Sequence, residues 1–260
     1  MISVYGATGF IGSRFCEMYP DQTIKIPREQ RTPESDIILY TISTTHNYND
    51  LSVDVSTNLQ VLSEVLEQLY NGQEFNFISS WFVYNPQGNY SYTKFLAERL
   101  VSYYCTAHDI PYRIFRIANV FGKGDKFSKQ KNALQWLIDR MRYNIDIELY
   151  YDGEFLRNYV WVDDLCNLLY QGMDILPTSE FAYDLGSDKS VVFGDLVRLA
   201  HAALGSTSQI RDKENIPEFH KKIQTKDFIF PHTISTEQYL TLPRSGTIPE
   251  KLVRMIMDES

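Results

Sequence analysis

Short apolar runs alternate with longer amphipathic stretches through the first half of the chain, and that alternation predicts its elements. Ile2-Ser3-Val4-Tyr5 reads as a strand, and residues 10 to 18 as a helix that starts inside a glycine-rich turn. Thr23 to Ile26 and Ile37 to Tyr40 read as two further strands, and the polar segment Pro27 to Ser35 between them leaves little room for a helix. From about Ser56 to Leu69, the residues Leu59, Leu62, Val65, Leu66 and Leu69 fall on one helical stripe. Phe75 to Ile78 reads as a strand ending at Ser79-Ser80. After a turn holding Pro86 and Gly88, a long helix runs from about Tyr90 to Ala107, and Pro111 to Ile117 gives another strand. This succession predicts an α/β fold built on a doubly wound parallel sheet.

Beyond Asn119 the pattern is less regular. A helix is expected over about Asn132 to Arg142, with strands near Ile147 to Leu149 and Asn158 to Val160. Further helices are expected at Val162 to Met173 and Phe193 to Leu204. The end of the chain, with its isolated prolines and charges, reads as loop-rich. The division that follows is a dinucleotide-binding domain over 1–121, to which 161–186 returns. A small substrate-binding lobe takes 122–160 and 187–260, over the C-terminal edge of the sheet, where open α/β folds bind ligands.

Composition narrows the function classes. The 260 residues are 43% hydrophobic and 22% charged, as in a folded soluble enzyme. A net charge of -8 without any Lys/Arg run argues against nucleic acid as a partner. No apolar stretch approaches the roughly 20 residues of a membrane span, and the N-terminus lacks a signal-peptide pattern, so the expectation is a cytoplasmic protein without membrane contact. Cys16, Cys105 and Cys166 are too widely spaced for a disulfide framework or a zinc site and are expected to be packing thiols. The five histidines match no motif, and no metal is expected.

Two constellations carry chemistry. Gly6-Ala7-Thr8-Gly9-Phe10-Ile11-Gly12 follows a strand and opens a helix, the context in which a glycine triplet brings backbone and helix N-terminus to a pyrophosphate. At the end of the second strand, Arg28 suits a 2′-phosphate, which favours NADP, with NAD as the alternative. Tyr90 and Lys94, at i and i+4, project from one helical face. The ammonium is expected to lower the tyrosine pKa toward a range useful for proton transfer while hydride moves to or from nicotinamide. Tyr92 lies on a different face. Ser80, at the end of the preceding strand, can hydrogen-bond the same substrate oxygen, with Ser79 as its competitor.

At this point the chain resembles the extended short-chain dehydrogenase/reductases, specifically the nucleotide-sugar epimerases and dehydratases, over roughly residues 1 to 190. Gly6 to Gly12 resembles the family's GxxGxxG. Phe77-Ile78-Ser79-Ser80 with Val83-Tyr84 resembles its serine-bearing strand, which assigns the hydroxyl to Ser80. Tyr90 to Lys94 with Ala97-Glu98 resembles its catalytic helix. Asn58 is similar to the asparagine that steadies the site. Arg116 to Gly122 resembles R-x-x-N-V-Y-G, whose asparagine, here Asn119, contacts a nucleotide sugar. Arg157 to Asp164 resembles R-D-Y-x-x-V-D-D, whose arginine, here Arg157, pairs with the substrate diphosphate. Asp163-Asp164 is read as the N-cap region of a helix. The resemblance thus implies catalysis by Ser80, Tyr90 and Lys94. Cofactor would be bound by Gly6, Thr8, Gly9, Phe10, Ile11, Gly12, Arg28, Asn58, Tyr90 and Lys94, and substrate by Ser80, Asn119 and Arg157.

Departures from the pattern narrow the chemistry. Trp81 and Phe82 stand where the family's dehydratases carry an acidic pair, its decarboxylases a glutamate and its 3,5-epimerases a cysteine. The short loop Asn85 to Asn89 implies a sugar pocket open on one side. What remains is hydride transfer at a sugar carbon through a ketone. The expectation is a C4 ketoreductase using NADPH with Tyr90 as the acid. A 4-epimerase with retained NAD is the alternative, and a non-catalytic dinucleotide sensor is the reading from another class. The resemblance also implies a homodimer through the helix bearing Tyr90, with Leu96, Leu100, Tyr103 and Tyr104 supplying contacts unless they face the monomer core.

Overall fold

The computed structural model describes residues 1–44, 50–123, 133–178, 182–187, 189–213 and 246–258. In chain order the elements begin with β1 (Ile2–Tyr5), α1 (Phe10–Met18), β2 (Thr23–Lys25) and β3 (Ile37–Tyr40). A broken helix follows: α2 (Leu51–Val55), a π turn at Ser56–Gln60, and α3 (Val61–Leu66). Next come β4 (Glu74–Ser80), α4 (Asn89–Ala107), β5 (Tyr112–Ile117), β6 (Asn119–Phe121), α5 (Ala133–Arg142) and β7 (Ile147–Leu149). The rest are β8 (Leu156–Arg157), β9 (Tyr159–Trp161), α6 (Val162–Ile175), β10 (Ala182–Leu185), β11 (Val191–Val192), α7 (Phe193–Leu204), β12 (Ile210–Asp212) and α8 (Ile248–Asp258).

Chain contacts divide the molecule into two compact units. The first contains Met1–Ile117 and Leu165–Leu185; the second contains Ala118–Asp164 and the described residues from Gly186 onward. In the first, six strands form one parallel sheet in the order β10-β5-β4-β3-β1-β2. This is the doubly wound α/β architecture read from the sequence. Tyr5 pairs with Tyr40, Tyr40 with Phe77, and Ser80 with Ile117, so these strands end along one edge of the sheet. Beneath it, Tyr5, Ile38 and Tyr40 pack with Leu62, Val65 and Leu66 of α3 and with Ala97 and Val101 of α4. In the second unit β6 pairs with β9, β7 with β12 and β8 with β11. Phe121, Leu134, Ile138, Leu149, Val197 and Leu252 lie in its own core.

The structure corrects several boundaries. The helix expected from Ser56 begins at Leu51, because an Asp50 carboxylate oxygen caps it, accepting from the N–H groups of Ser52 at 3.1 Å and Val53 at 3.3 Å. Its first turns turn Leu51, Val53 and Val55 outward, so the helical stripe is absent there. The strand β10 escaped the pattern because a polar Asp184 sits in its four residues. The last described segment, expected to be loop, is a helix. Pro249 occupies its first turn, where a missing N–H costs nothing, and Leu252, Met255 and Ile256 are buried. No helix among the described residues is long and apolar enough to cross a membrane.

One buried ion pair ties α4 to the sheet. Glu98 is 3% exposed; it accepts from Ser79 Oγ at 2.5 Å on β4, and from Arg116 Nε at 3.0 Å and Nη2 at 2.7 Å on β5. Arg116 also lies over the Tyr84 ring at 4.7 Å, and the Tyr84 hydroxyl donates to Asp184 at 2.6 Å on β10. Removing one partner of such a pair leaves a buried charge without its counter-ion. Glu98→Ala should therefore destabilise the protein by about 3–5 kcal/mol in urea unfolding. Exposed Glu29→Ala should leave the midpoint within about 0.5 kcal/mol of the parent.

Candidate active site

The turn between β1 and α1 admits only glycine at two places. Gly6 has φ +80°, and a Cβ there would lie 2.5 Å from Thr41 Oγ1. A Cβ on Gly12 would lie 2.3 Å from the Gly6 carbonyl oxygen, so the helix packs directly on the turn. Gly9 caps α1 without a side chain, and Thr8 and Gly9 are exposed. The first N–H groups of α1, on Phe10 to Gly12, have no carbonyl within the helix to bond to and carry the positive end of the helix dipole. Such a cradle fits the pyrophosphate of a dinucleotide. Arg28 is exposed just beyond the end of β2, after Ile26, whose N–H still pairs with Val4.

α4 starts behind a compact turn. Ser91 Oγ accepts from the N–H groups of Gln87 at 3.0 Å and Gly88 at 3.1 Å, which sets where the helix begins and so where Tyr90 points. The half-buried Tyr90 hydrogen-bonds through its hydroxyl with the side chains of Ser80 and Ser43. Ser79 points to the other face of β4 and is taken up by Glu98, so Ser80 and not Ser79 meets Tyr90. Tyr92 is 56% exposed and outside this cluster. Trp81 is buried, with its indole N–H donating to the Arg116 carbonyl at 2.8 Å, a packing residue.

The electrostatics differ from the simple tyrosine–lysine expectation. Burial raises the Tyr90 pKa above its ordinary value; the Ser80 and Ser43 hydroxyls oppose this, and the charge of Asp54 adds to it. Lys94 is 2% exposed, donates to the Ile78 carbonyl at 2.7 Å and sits 4.5 Å over the Phe77 ring. Burial depresses its pKa from 10.5 to about 7, with Glu98 opposing. The expected lowering of the tyrosine pKa by a facing ammonium is therefore corrected. The amine is turned to the strand carbonyl, and desolvation dominates both groups.

Asn58 lies in the π turn and is buried. Its Nδ2 donates to Thr44 Oγ1 at 2.9 Å and Thr93 Oγ1 at 3.0 Å, and its Oδ1 accepts from the Thr44 N–H at 2.9 Å. The wider turn carries the asparagine between α4 and the chain leaving β3. A π turn inside a helix is a frequent mark of a functional position.

In the second unit, Asn119 opens β6 and donates through its N–H (3.2 Å) and Nδ2 (3.0 Å) to the Asn158 carbonyl. Arg157 is 9% exposed, donates to the Leu156 carbonyl at 3.0 Å and stacks over Phe155 at 4.4 Å; burial lowers its pKa. The two residues thus flank one backbone segment. Asp163 and Asp164 stand in the first turn of α6, where Asp164 pairs with Lys251.

Sequence reasoning missed Ser43, Thr44, Asp54 and Thr93. A signal was available: Ser43 and Thr44 follow the third strand at its ligand-facing end, and Asp54 stands four residues before Asn58. All three cysteines are buried, and none of them is in a disulfide. His108 and His201 are described and join no group of side chains placed to hold a metal; among the described residues there is no such group.

Residues 69–176 match the model of the NAD dependent epimerase/dehydratase family. The dTDP-L-rhamnose 4-epimerase of Burkholderia thailandensis is 27% identical over 122 residues, which is 46% of this chain and 34% of that protein. The chain thus matches about a third of that relative's length. Among solved structures, a UDP-glucuronic acid 4-epimerase of Bacillus cereus in complex with UDP-glucuronic acid and NAD aligns with TM-score 0.76. It is 17% identical and covers 100% of this chain and 99% of its own. RMD of Pseudomonas aeruginosa, complexed with NADPH, aligns with TM-score 0.72 at 16% identity, covering 99% and 98%. At these identities the structural likeness is one of fold.

The depressed Lys94 has a thermodynamic consequence. Between its folded value of about 7 and its ordinary 10.5, the unfolded chain binds the extra proton, so lowering the pH through this window favours unfolding. Tyr90 acts only above its ordinary value near 10. Relative to Lys94→Met, the parent should lose on the order of 2 kcal/mol as the pH falls from about 9 to about 7, read by urea unfolding at both pH values.

Proposed function

We propose that this chain, related to the NAD dependent epimerase/dehydratase family through residues 69–176, is an NADP-dependent reductase of a nucleotide-sugar ketone, acting at C4. The observation that carries this reading is the Tyr90 hydroxyl, bonded to Ser80 at the end of β4, in the same unit as the glycine cradle. A bound nicotinamide dinucleotide supplies the hydride. Ser80 donates a hydrogen bond to the substrate's carbonyl oxygen, and Tyr90 gives that oxygen its proton as charge develops there. Phe10 to Gly12 hold the pyrophosphate on their N–H groups, Arg28 meets a 2′-phosphate, and Asn58 fixes the pocket wall through Thr44 and Thr93. Lys94 holds the cofactor side of Tyr90. Arg157 takes the substrate diphosphate and Asn119 the nucleotide sugar. We place the protein in the cytoplasm.

The NAD complex of the Bacillus cereus epimerase favours a second reading, a 4-epimerase that keeps its NAD and returns the hydride to the other face of the ketone. A homodimer through α4 is part of the proposal. Leu96 (50%) and Tyr103 (73%) are exposed on that helix, whereas Leu100 and Tyr104 lean on the core.

Mass spectrometry of the small molecules released on denaturation separates the two readings. Protein that emerges empty and then takes up NADPH in preference to NADH supports the reductase, while retained NAD⁺ supports the epimerase and removes Arg28 from the site. Failure to bind any dinucleotide sinks both. Tyr90→Phe should lower turnover roughly 10²–10⁴-fold with dinucleotide affinity little changed; a sensor would keep its partner binding instead. Light scattering that shows a monomer at micromolar concentration would remove the dimer.

A further inference from the structure

The crossing from β2 to β3 is bare. In a doubly wound dinucleotide-binding sheet of order 3-2-1-4-5-6, a helix and a third strand follow the second strand and flank it. Here β2 is the edge of the sheet, and the next strand, β3, pairs on the far side of β1. Residues 27–35 make the crossing alone, as a strap on the face of the sheet that α3 covers. Three residues outside the strap tie it down. The buried Ser3 hydroxyl accepts from the Glu34 N–H at 2.9 Å and lies 2.8 Å from Ser35 Oγ. Two residues on, and so on the same face of β1, the Tyr5 hydroxyl donates to the Arg31 carbonyl at 2.5 Å. Glu64 of α3 accepts from Arg31 Nε at 2.7 Å.

At the ligand-facing end the strap begins with a tight turn. The Gln30 N–H donates to the Pro27 carbonyl at 3.0 Å, which puts Arg28 and Glu29 at the tip, both exposed. Arg31 closes this turn from behind. Its Nη1 donates to the Arg28 carbonyl at 2.8 Å while its Nε is held by Glu64. One guanidinium therefore links the backbone of the turn to α3, and its planar fork fixes the two bonds relative to each other, which a lysine could not do. The Arg28 side chain itself is engaged by no other side chain among the described residues.

We propose that Arg31, clamped by Glu64, is a positioning residue for the 2′-phosphate of the dinucleotide: it fixes the turn that presents Arg28, and so makes the site selective for the phosphorylated cofactor. The inference rests on the reading of Arg28 as the partner of that phosphate, and gives the selectivity a second, indirect determinant. A contact made from a mobile turn loses much of its worth to ordering that turn, and a turn ordered in advance does not. With no third strand beside β2, the clamp is what orders it. Glu64 is negatively charged, so its direct effect on a nearby phosphate is unfavourable, and its benefit comes through Arg31.

The test is equilibrium binding of NADPH and of NADH, followed by the fluorescence of the dinucleotide, to the full-length parent, Arg28→Ala, Arg31→Met and Glu64→Ala. Arg28→Ala should lower the NADPH-over-NADH affinity ratio about tenfold, the loss of one charged hydrogen bond. Arg31→Met and Glu64→Ala should each lower the same ratio several-fold, with NADH affinity little changed. Glu64→Ala removes a negative charge. A rise in NADPH affinity in that variant would make Arg31 a direct phosphate partner that Glu64 restrains, and would overturn the proposal. Equal weakening of both dinucleotides in Arg31→Met and Glu64→Ala would reduce the clamp to support of the fold and overturn it as well. If Arg28→Ala alone lowers the ratio, the reading of Arg28 stands and the clamp is overturned. If Arg28→Ala leaves the ratio unchanged, the reading of Arg28 fails and the proposal falls with it.

Discussion

Glu98 stands about two turns along α4 from Tyr90, and its carboxylate is shared between Ser79 of β4 and Arg116 of β5. Three elements are thereby fixed to one another at a buried point, and much else follows from that registration. With Ser79 turned to Glu98, the next residue on the strand is turned the other way, and Ser80 meets Tyr90. With α4 held against the sheet, Lys94 comes to the Ile78 carbonyl and Thr93 to Asn58. Arg116 passes the constraint on to Tyr84 and thence to Asp184 on the outermost strand. A buried ion pair adds little net stability over apolar packing. Its contribution here is geometric, since its bonds have direction and an apolar contact would allow the helix to slide.

The glycine turn, the sheet strands β1 to β5 and the helix α4 were legible because each is specified locally. Strand runs, glycines at fixed offsets and an i, i+4 pair are properties of short stretches of chain. The misses have other causes. α2 starts on its own Asp50 cap, with outward apolar residues that leave no stripe to announce it. β10 carries a polar residue that the Tyr84 hydroxyl reaches, and α8 buries a face that its own unit's core completes. These last two depend on partners distant in sequence. Within the site the same division holds. Ser80, Tyr90 and Lys94 are visible as spacings, and the resemblance already preferred Ser80 to Ser79; the physical reason, Ser79 taken up by Glu98, needed the structure. The direction of the tyrosine's shift needed the position of the lysine amine.

That direction matters for how the pair is understood. Two ionisable groups at i and i+4 suggest mutual stabilisation of opposite charges, and the rule holds where both are solvated. Here desolvation acts first. It pushes the tyrosine toward the phenol and the lysine toward the neutral amine, so both groups prefer the uncharged form. An anionic ligand binding nearby would draw a proton back onto Lys94. Proton affinity in this pair is therefore coupled to ligand binding.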